Sequence, residues 1–411
     1  MTARRRGGAC GRPRATTTVA PTSWDEQWIF ASQIRAGKSA MSFARLPKIT
    51  FWRTVLAVIL CAGFYSTLLR FTKGLGAATN LTDRFPWGLW IGFDVFCGVG
   101  LAAGGFTLAA IVYVFHLRRF HPILRPATLT AFLGYALVAV ALLYDLGRPY
   151  NIWHPLIMWN PHSVMFEVAW CVMLYLTVLA LEFSPVVFER LGMQKPLKLL
   201  QAVTIPLVIV GVLLSTLHQS SLGSLFLIVP SKLHPYWYSP LLPLLFFVSA
   251  LGVGMAMVIF ESNLSARAFG REIEMSLLSA LGRAMAVVLG IYAILRFQDL
   301  WGRGALAYLR RPSTETVLFV LEIVLGLLLP LLLLLFRQVR ENRDGLFAVA
   351  VLVITGFLLN RLNVSVTGLE YSAQAHYFPK WTEVAVTLSM VGMGFLCFAW
   401  AARHLKVFEG D

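Results

Sequence analysis

The sequence predicts an all-α, polytopic helical membrane bundle of about ten transmembrane helices, and three observations predict it. Of 411 residues, 58% are hydrophobic and only 13% are charged, with a mean hydropathy of +0.71, whereas soluble chains carry about 25% charged residues. The apolar stretches run on for about 20 residues, the length that crosses the hydrocarbon core as a helix. They do not alternate polar with apolar residues as the strands of a membrane barrel do.

In chain order, residues 1–40 contain RRR, GRPR and TTT without apolar periodicity. No hydrophobic region follows the arginines, so this is not a secretory signal. A disordered basic leader is expected, with Met41 an alternative start just ahead of the first span; a basic lipid-binding tail is the other reading. The transmembrane domain then fills 41–411. Spans are expected at 51–71, 87–115, 126–145, 160–182, 199–217, 241–263, 277–296, 315–336, 345–361 and 382–403. Pro86, Pro126, Pro161, Pro240 and Pro312 fall near span starts, where proline is tolerated. Pro206 and Pro330 are expected to kink the fifth and eighth spans. GVGLAAGG at 98–105 gives the second span the small residues that let helices approach closely.

The formal charge of +15 does not point to nucleic acid. Residues 1–40 hold six Arg and one Lys against one Asp and one Glu, and so carry +5 of it. The rest sits mostly in short loops, where Lys and Arg set topology. They are more numerous on the side of the N-terminus, so both termini are expected in the cytoplasm. Cysteines 10, 61, 97, 171 and 397 show no CxxC spacing, and four lie in apolar runs. They read as small core residues, and no iron–sulfur cluster is expected in this chain.

The chain is organised around residues 141–170, ALLYDLGRPYNIWHPLIMWNPHSVMFEVAW. Asp145 and Arg148 close one span, and Asn160, His162 and Ser163 open the next. Trp153, Trp159 and Tyr150 suit the interfacial belt. Ionisable residues at membrane depth point to function, although an Asp145–Arg148 pair tying two helices together is the plainer alternative. On the same outer side lie His154, His218, His234, Arg296, Asp299, Arg361 and His376. Asp94, Glu167 and Glu322 each stand seven residues into a span that enters from that side, roughly 10 Å deep at 1.5 Å per residue. They form either a proton-accepting layer or a set of structural ties.

Heme b is not expected, because it needs histidine pairs projecting into the bundle core, and only His218, at the outer end of the fifth span, comes near one. No Walker, GxSxG or HExxH motif supports hydrolysis. A lipid-soluble quinone fits a site with aromatic walls, a histidine able to donate near neutral pH and carboxylates to resupply protons. TLHQSSLG at 216–223 leaves the fifth span on that face, where His218 either meets the ligand or caps carbonyls.

FPWGLWIGFDVFCG (85–98), YDLGRPYNIW (144–153), NPHSVMFEVAWCVMLY (160–175), TLHQSSLGSL (216–225), LHPYWYSPLLPLLFF (233–247), FESNLSARAF (260–269) and NRLNVSVTGLEYSAQAHYFPKWTE (360–383) resemble the NrfD/PsrC family of membrane subunits. Within it the likeness is to the HybB-type subunits of respiratory nickel–iron hydrogenases. It spans about residues 50–405. The resemblance implies a heme-free subunit of the bacterial inner membrane that passes electrons to menaquinone or ubiquinone. They would come from a periplasmic ferredoxin-like iron–sulfur subunit fed by the large and small nickel–iron hydrogenase subunits. Carried over by position, it implies that Asp145, Arg148, Asn160, Ser163 and His218 line or support the quinone site. Asp94 and Glu167 are then proton-path residues, joined by Glu322 on depth alone. Other members of the family oxidise quinol for polysulfide or nitrite reduction, so the direction of electron flow stays open. A secondary transporter would place polar residues at the midplane of broken helices, and a mere anchor would leave the three carboxylates unexplained.

Overall fold

Why the chain crosses a bilayer as helices follows from solvation. With no water in the hydrocarbon, each backbone N–H and C=O must be satisfied within its own segment. A computed structural model describes residues 50–408; the expected leader, residues 1–40, lies outside them. Among the described residues there is no strand, only an isolated bridge between Thr82 and Phe85. Among the described residues, ten helices are long and apolar enough to span a membrane: α1 Phe51–Lys73, α2 Trp90–Val114, α3 Arg118–Asp145, α4 Val164–Leu191, α5 Gln194–Ser224, α6 Leu242–Phe269, α7 Met275–Gly302, α8 Thr314–Leu335, α9 Arg343–Ala373 and α10 Trp381–His404.

The helix ends follow local chemistry. Ser163 caps α4 by accepting from the Phe166 amide at 3.5 Å, and Ser313 caps α8 through the Thr316 amide at 3.2 Å. Asn342 caps α9 through the amides of Asp344 and Gly345. α4 and α6 end at Gly192 and Gly270, at φ 70° and 66°, where a side chain would clash with the backbone. Pro206 lies within a continuous helical assignment in α5. Pro330 follows a π-helical turn, Val324–Leu328, which absorbs the irregularity.

α2, α6 and α7 are the most buried spans, and from Val55 onward α1 is among the least. α4 packs along α5, α5 on α6, and α6 on both α7 and α9. The small residues of α2 act as expected. A Cβ on Gly104 would meet the Gly254 carbonyl oxygen of α6 at 3.1 Å, and one on Gly105 would meet the Ala131 methyl of α3 at 2.5 Å. α8 and α9 touch backbone to backbone, because a Cβ on Gly356 would lie 2.0 Å from the Gly326 Cα.

Helix alternation puts the long connections 74–89, 146–163, 225–241 and 303–313, with the shorter 374–380, on one face, here termed the loop-rich face. The opposite connections are short: 115–117, 192–193, 270–274 and 336–342. The long loops are laced together. Lys380 Nζ donates to the Ala77 carbonyl at 2.6 Å, Asn80 Nδ2 to Phe378 at 3.0 Å, and Arg303 Nη1 to Pro235 at 2.8 Å. The packing predicts that Gly356→Val destabilises the protein by about 1–3 kcal/mol or more, since overpacking forces backbone shifts. Thermal unfolding in detergent should show this, with Gly290→Ala, which meets nothing within 4 Å, as the control.

Candidate functional site

Toward the loop-rich face, polar side chains inside the bundle gather into three groups, each built by a different set of helices. The first lies where α1, α2, α3 and α10 meet the loop-rich face. Arg70, 3% exposed, donates from Nε to the Tyr144 carbonyl and from Nη2 to that of Leu146, both at 2.6 Å. It thereby satisfies carbonyls that a helix C-terminus leaves open. Asp145 sits between those two carbonyls in the chain, with Oδ1 buried and unpartnered. Asp94 accepts from Thr387 Oγ1 at 2.9 Å. Glu383 accepts from the amides of Asn80 and Lys380, at 3.2 and 2.7 Å, and from the Tyr377 hydroxyl at 2.6 Å. Tyr377 in turn accepts from the Leu89 amide at 2.8 Å.

The second group lies between α3, α4 and α5. Glu167 accepts a short hydrogen bond from Ser221. About one turn deeper along α5, His218 is fully buried, and neither ring nitrogen has a partner among the described residues. Around it stand Tyr135, 5.8 Å away ring to ring, then Tyr175, 4.6 Å from Tyr135, and Ser215. All three hydroxyls are likewise buried, and none completes a well-aligned hydrogen bond, although Ser215 stands near both tyrosine hydroxyls and Gln219 near that of Tyr135. Gln219 Nε2 donates to the Val99 carbonyl of α2 at 3.2 Å.

The third group joins α6, α7, α8 and α9 to the loop 225–241. Glu322 accepts from Trp237 Nε1 at 2.9 Å, Asn360 Nδ2 at 2.7 Å and Asn363 Nδ2 at 2.8 Å, and Arg296 Nη2 lies 4.0 Å away. Arg361 donates to Asn360 Oδ1, Ser249 Oγ and the Phe246 carbonyl, its guanidinium 3.6 Å from the Phe246 ring centre. Above this, His234 stands among Tyr236, Trp237, Tyr308 and Tyr371. Burial pushes its imidazole down, opposed by Glu315, and its Nδ1 accepts from the Tyr236 amide at 3.2 Å.

The residues singled out in the sequence are therefore divided. Arg148 and Asn160 are exposed in the loop 146–163, Ser163 caps α4, Asp145 belongs to the first group and His218 to the second. Asp94, Glu167 and Glu322 belong to three different groups and do not stand equally far into their helices. They are the fifth, fourth and ninth residues of α2, α4 and α8, or about 6, 5 and 12 Å from the helix starts. The reason is local: Pro161 and the Ser163 cap hold 160–163 outside α4, and Tyr377 fixes the chain at Leu89 just before α2. His218 is not at the end of a span. α5 continues to Ser224, whose hydroxyl bonds back to the Ser220 carbonyl at 3.3 Å, a local bond that keeps serine tolerable in a helix, while Ser221 turns its one hydroxyl proton to Glu167. Arg70, Tyr135, Tyr175, Glu182 and Glu383 were missed. For Arg70 and Glu182 the signal was present, a charge within an apolar run.

The sequence profile described as "Polysulphide reductase, NrfD" matches residues 77–372. The chain is a member of the NrfD family. A Nitratidesulfovibrio vulgaris protein is 41% identical over 86% of this chain and 93% of its own length. The probable Ni/Fe-hydrogenase 2 b-type cytochrome subunit of Escherichia coli is 36% identical over 82% of this chain and 87% of its own length. The menaquinone reductase integral membrane subunit of N. vulgaris is 27% identical over 89% of this chain and 93% of its own length. Family membership and ten apolar helices make this NrfD-family chain a multi-pass membrane protein. A bis-histidine heme does not fit its donor set. Of histidines 116, 121, 154, 162, 218, 234, 376 and 404, only His218 lies well inside a span, and no group of three or more potential metal ligands occurs among the described residues.

Two predictions follow from the buried partners. Glu322→Ala strands the donors of Trp237, Asn360 and Asn363 beside Arg296 and should cost about 3–5 kcal/mol, as when one member of a buried charged set is removed; chemical unfolding of the purified subunit measures it. Burial and then Glu383 push the Tyr377 hydroxyl well above the usual tyrosine range. An unfolded tyrosine ionises near pH about 10. This contact's stability is therefore complete below that pH and is lost as pH rises toward the folded value. Stability measured against alkaline pH should fall less steeply in Tyr377→Phe than in the parent.

Proposed function

We propose that this chain is the membrane subunit of a respiratory hydrogenase complex in a bacterial inner membrane. Electrons reach it from a ferredoxin-like iron–sulfur subunit, itself served by large and small nickel–iron hydrogenase subunits. They leave on menaquinone or ubiquinone dissolved in the bilayer. Both termini lie in the cytoplasm, so the loop-rich face is periplasmic and receives the partner. The names of the E. coli and N. vulgaris relatives support the hydrogenase and quinone parts of this reading.

The observation that carries it is the arrangement at the loop-rich end of α3–α5. There Glu167, bonded to Ser221, stands between the membrane edge and the unpartnered His218. Quinone reduction takes up two protons with two electrons, so its site needs groups that hold and release protons beside an apolar slot. The exposed rings of Tyr150, Trp153 and Trp159 supply the slot's rim. Arg148 and Asn160 reach a ring carbonyl from the loop, Ser163 fixes the start of α4, and Asp145 anchors the loop at its other end. Glu167 and His218 deliver protons, with Asp94 and Glu322 as further proton-holding groups.

Deleting the gene should abolish hydrogen-dependent quinone reduction in membranes while sparing hydrogenase activity with a soluble dye. Glu167→Gln should lower quinone reduction by about 10²-fold, the usual contribution of a positioned acid or base. Quinone reduction that survives the deletion would remove the hydrogenase assignment.

A further inference from the structure

The polar row of the second group does not stop at His218. At the short-loop ends of α2, α3, α4 and α5 lies a cavity of ≈ 240 Å³, room for several waters. Its walls include the Arg125–Glu189 pair, joined at 3.0 Å, with Gln201, Thr204 and the carboxylate of Glu182. Glu182 has no hydrogen-bond or ion-pair partner among the described residues. From there the row continues along one face of α4. Gly211 of α5 has no side chain, and a Cβ there would stand 3.1 Å from Glu182 Oε1 and 3.7 Å from Tyr175 Cε2, so both residues lie close against α5. Tyr175, Tyr135, Ser215 and His218 follow, each at most 1% exposed. Together they supply five of the ten buried side-chain polar atoms that complete no well-aligned hydrogen bond among the described residues, and Ser215 stands near both tyrosine hydroxyls. Such atoms normally find protein or ordered water. Half of them collected in one row marks a place that water completes.

We propose that α3, α4 and α5 enclose a hydrated proton path across the membrane, with its inlet at Glu182 on the short-loop face. It runs through Tyr175, Ser215, Tyr135 and His218 to Glu167 on the loop-rich face. The inference extends the quinone reading, which names only what consumes the protons. A hydronium in the cavity protonates Glu182. Each group then passes a proton forward and takes one from behind, so the chain ends unchanged. For each quinone reduced, two electrons arrive from the iron–sulfur partner and two protons arrive through the path. Electrons and protons thus come from opposite faces, and turnover separates charge across the bilayer. The titratable and charged groups that face Glu182 are Tyr113 of α2, His121 and Arg125 of α3, and Tyr175 and Glu189 of α4; α5 contributes only neutral Gln201, Thr204 and Gly211 there.

Two measurements on the full complex in sealed vesicles test the path. In the first, Gln201→Cys and Thr204→Cys are exposed to a membrane-impermeant thiol reagent from each side, against a parent without the new thiol. Labelling from the short-loop side alone is expected; its absence there overturns the inlet whether or not quinone is the substrate. In the second, quinone reduction is followed while pH changes on one side only. The parent rate should track the short-loop side. Glu182→Gln should lower the rate at least ten-fold and flatten that pH profile, Glu182→Asp should restore most of both, and dye-linked hydrogenase activity should be unchanged. A rate that tracks only the loop-rich side, or is unaffected in Glu182→Gln, overturns the path and leaves the quinone reading standing. A parent without quinone reduction defeats that reading instead, and the labelling then decides the inlet alone.

Discussion

The structure depends on one constraint: inside a bilayer, a buried polar group has only protein, or water enclosed by protein, to bond with. Glu322 shows what this does. Its carboxylate holds Trp237 from a loop and Asn360 and Asn363 from α9, with Arg296 of α7 close by. One side chain on α8 thus sets the register of three neighbouring segments. Apolar surface could not do this alone, because lipid tails solvate leucine as well as another helix does. Arg70 ties α1 to the end of α3 in the same way.

The same constraint separates what the sequence could reveal from what it could not. Spans are written in composition: a continuous apolar run has a single solution, and all ten expected spans have a counterpart. The small residues at 98–105 likewise carried their meaning, since Gly104 and Gly105 sit at the contacts with α6 and α3. Helix ends are local events, and they decided how far into their helices the carboxylates stand. Counting residues from an apolar boundary put Asp94, Glu167 and Glu322 at one level, whereas a cap at Ser163 and a tyrosine from 288 residues away at Leu89 moved two of them. Partners were not legible at all. Nothing near Glu383 announces Asn80, and nothing near His218 announces Tyr135 and Tyr175, because these neighbours meet only through tertiary packing.

Irregular helix mostly coincides with the polar groups. Of the four π-helical segments among the described residues, Trp90–Cys97, Val324–Leu328 and Asn363–Thr367 lie at these groups and Ala110–Val114 does not. The first carries Asp94, the second begins two residues after Glu322, and the third carries Asn363. A π turn shifts the side chains that follow relative to an ideal helix. The bundle can thereby aim a carboxylate or amide inward while the rest of the helix keeps its apolar face to lipid. Such turns have no signature in the hydropathy of the sequence, which is why they were absent from the reading of these spans.

The placement of the first span bears on how the protein is made. Gly63 packs on Ser389 of α10, and the ring of Tyr65 stacks on that of Trp381 at 5.9 Å. α1 can reach Tyr144 through Arg70 as soon as α3 has been inserted, but its other neighbour is the last of the ten described spans to leave the ribosome. At about 5–20 residues per second, α1 waits on the order of tens of seconds with the α10 side of its surface against lipid or the insertion machinery. The earliest of these spans to be synthesised is among the last to be fully seated, and the early Arg70 contact gives it something to hold while the later spans arrive.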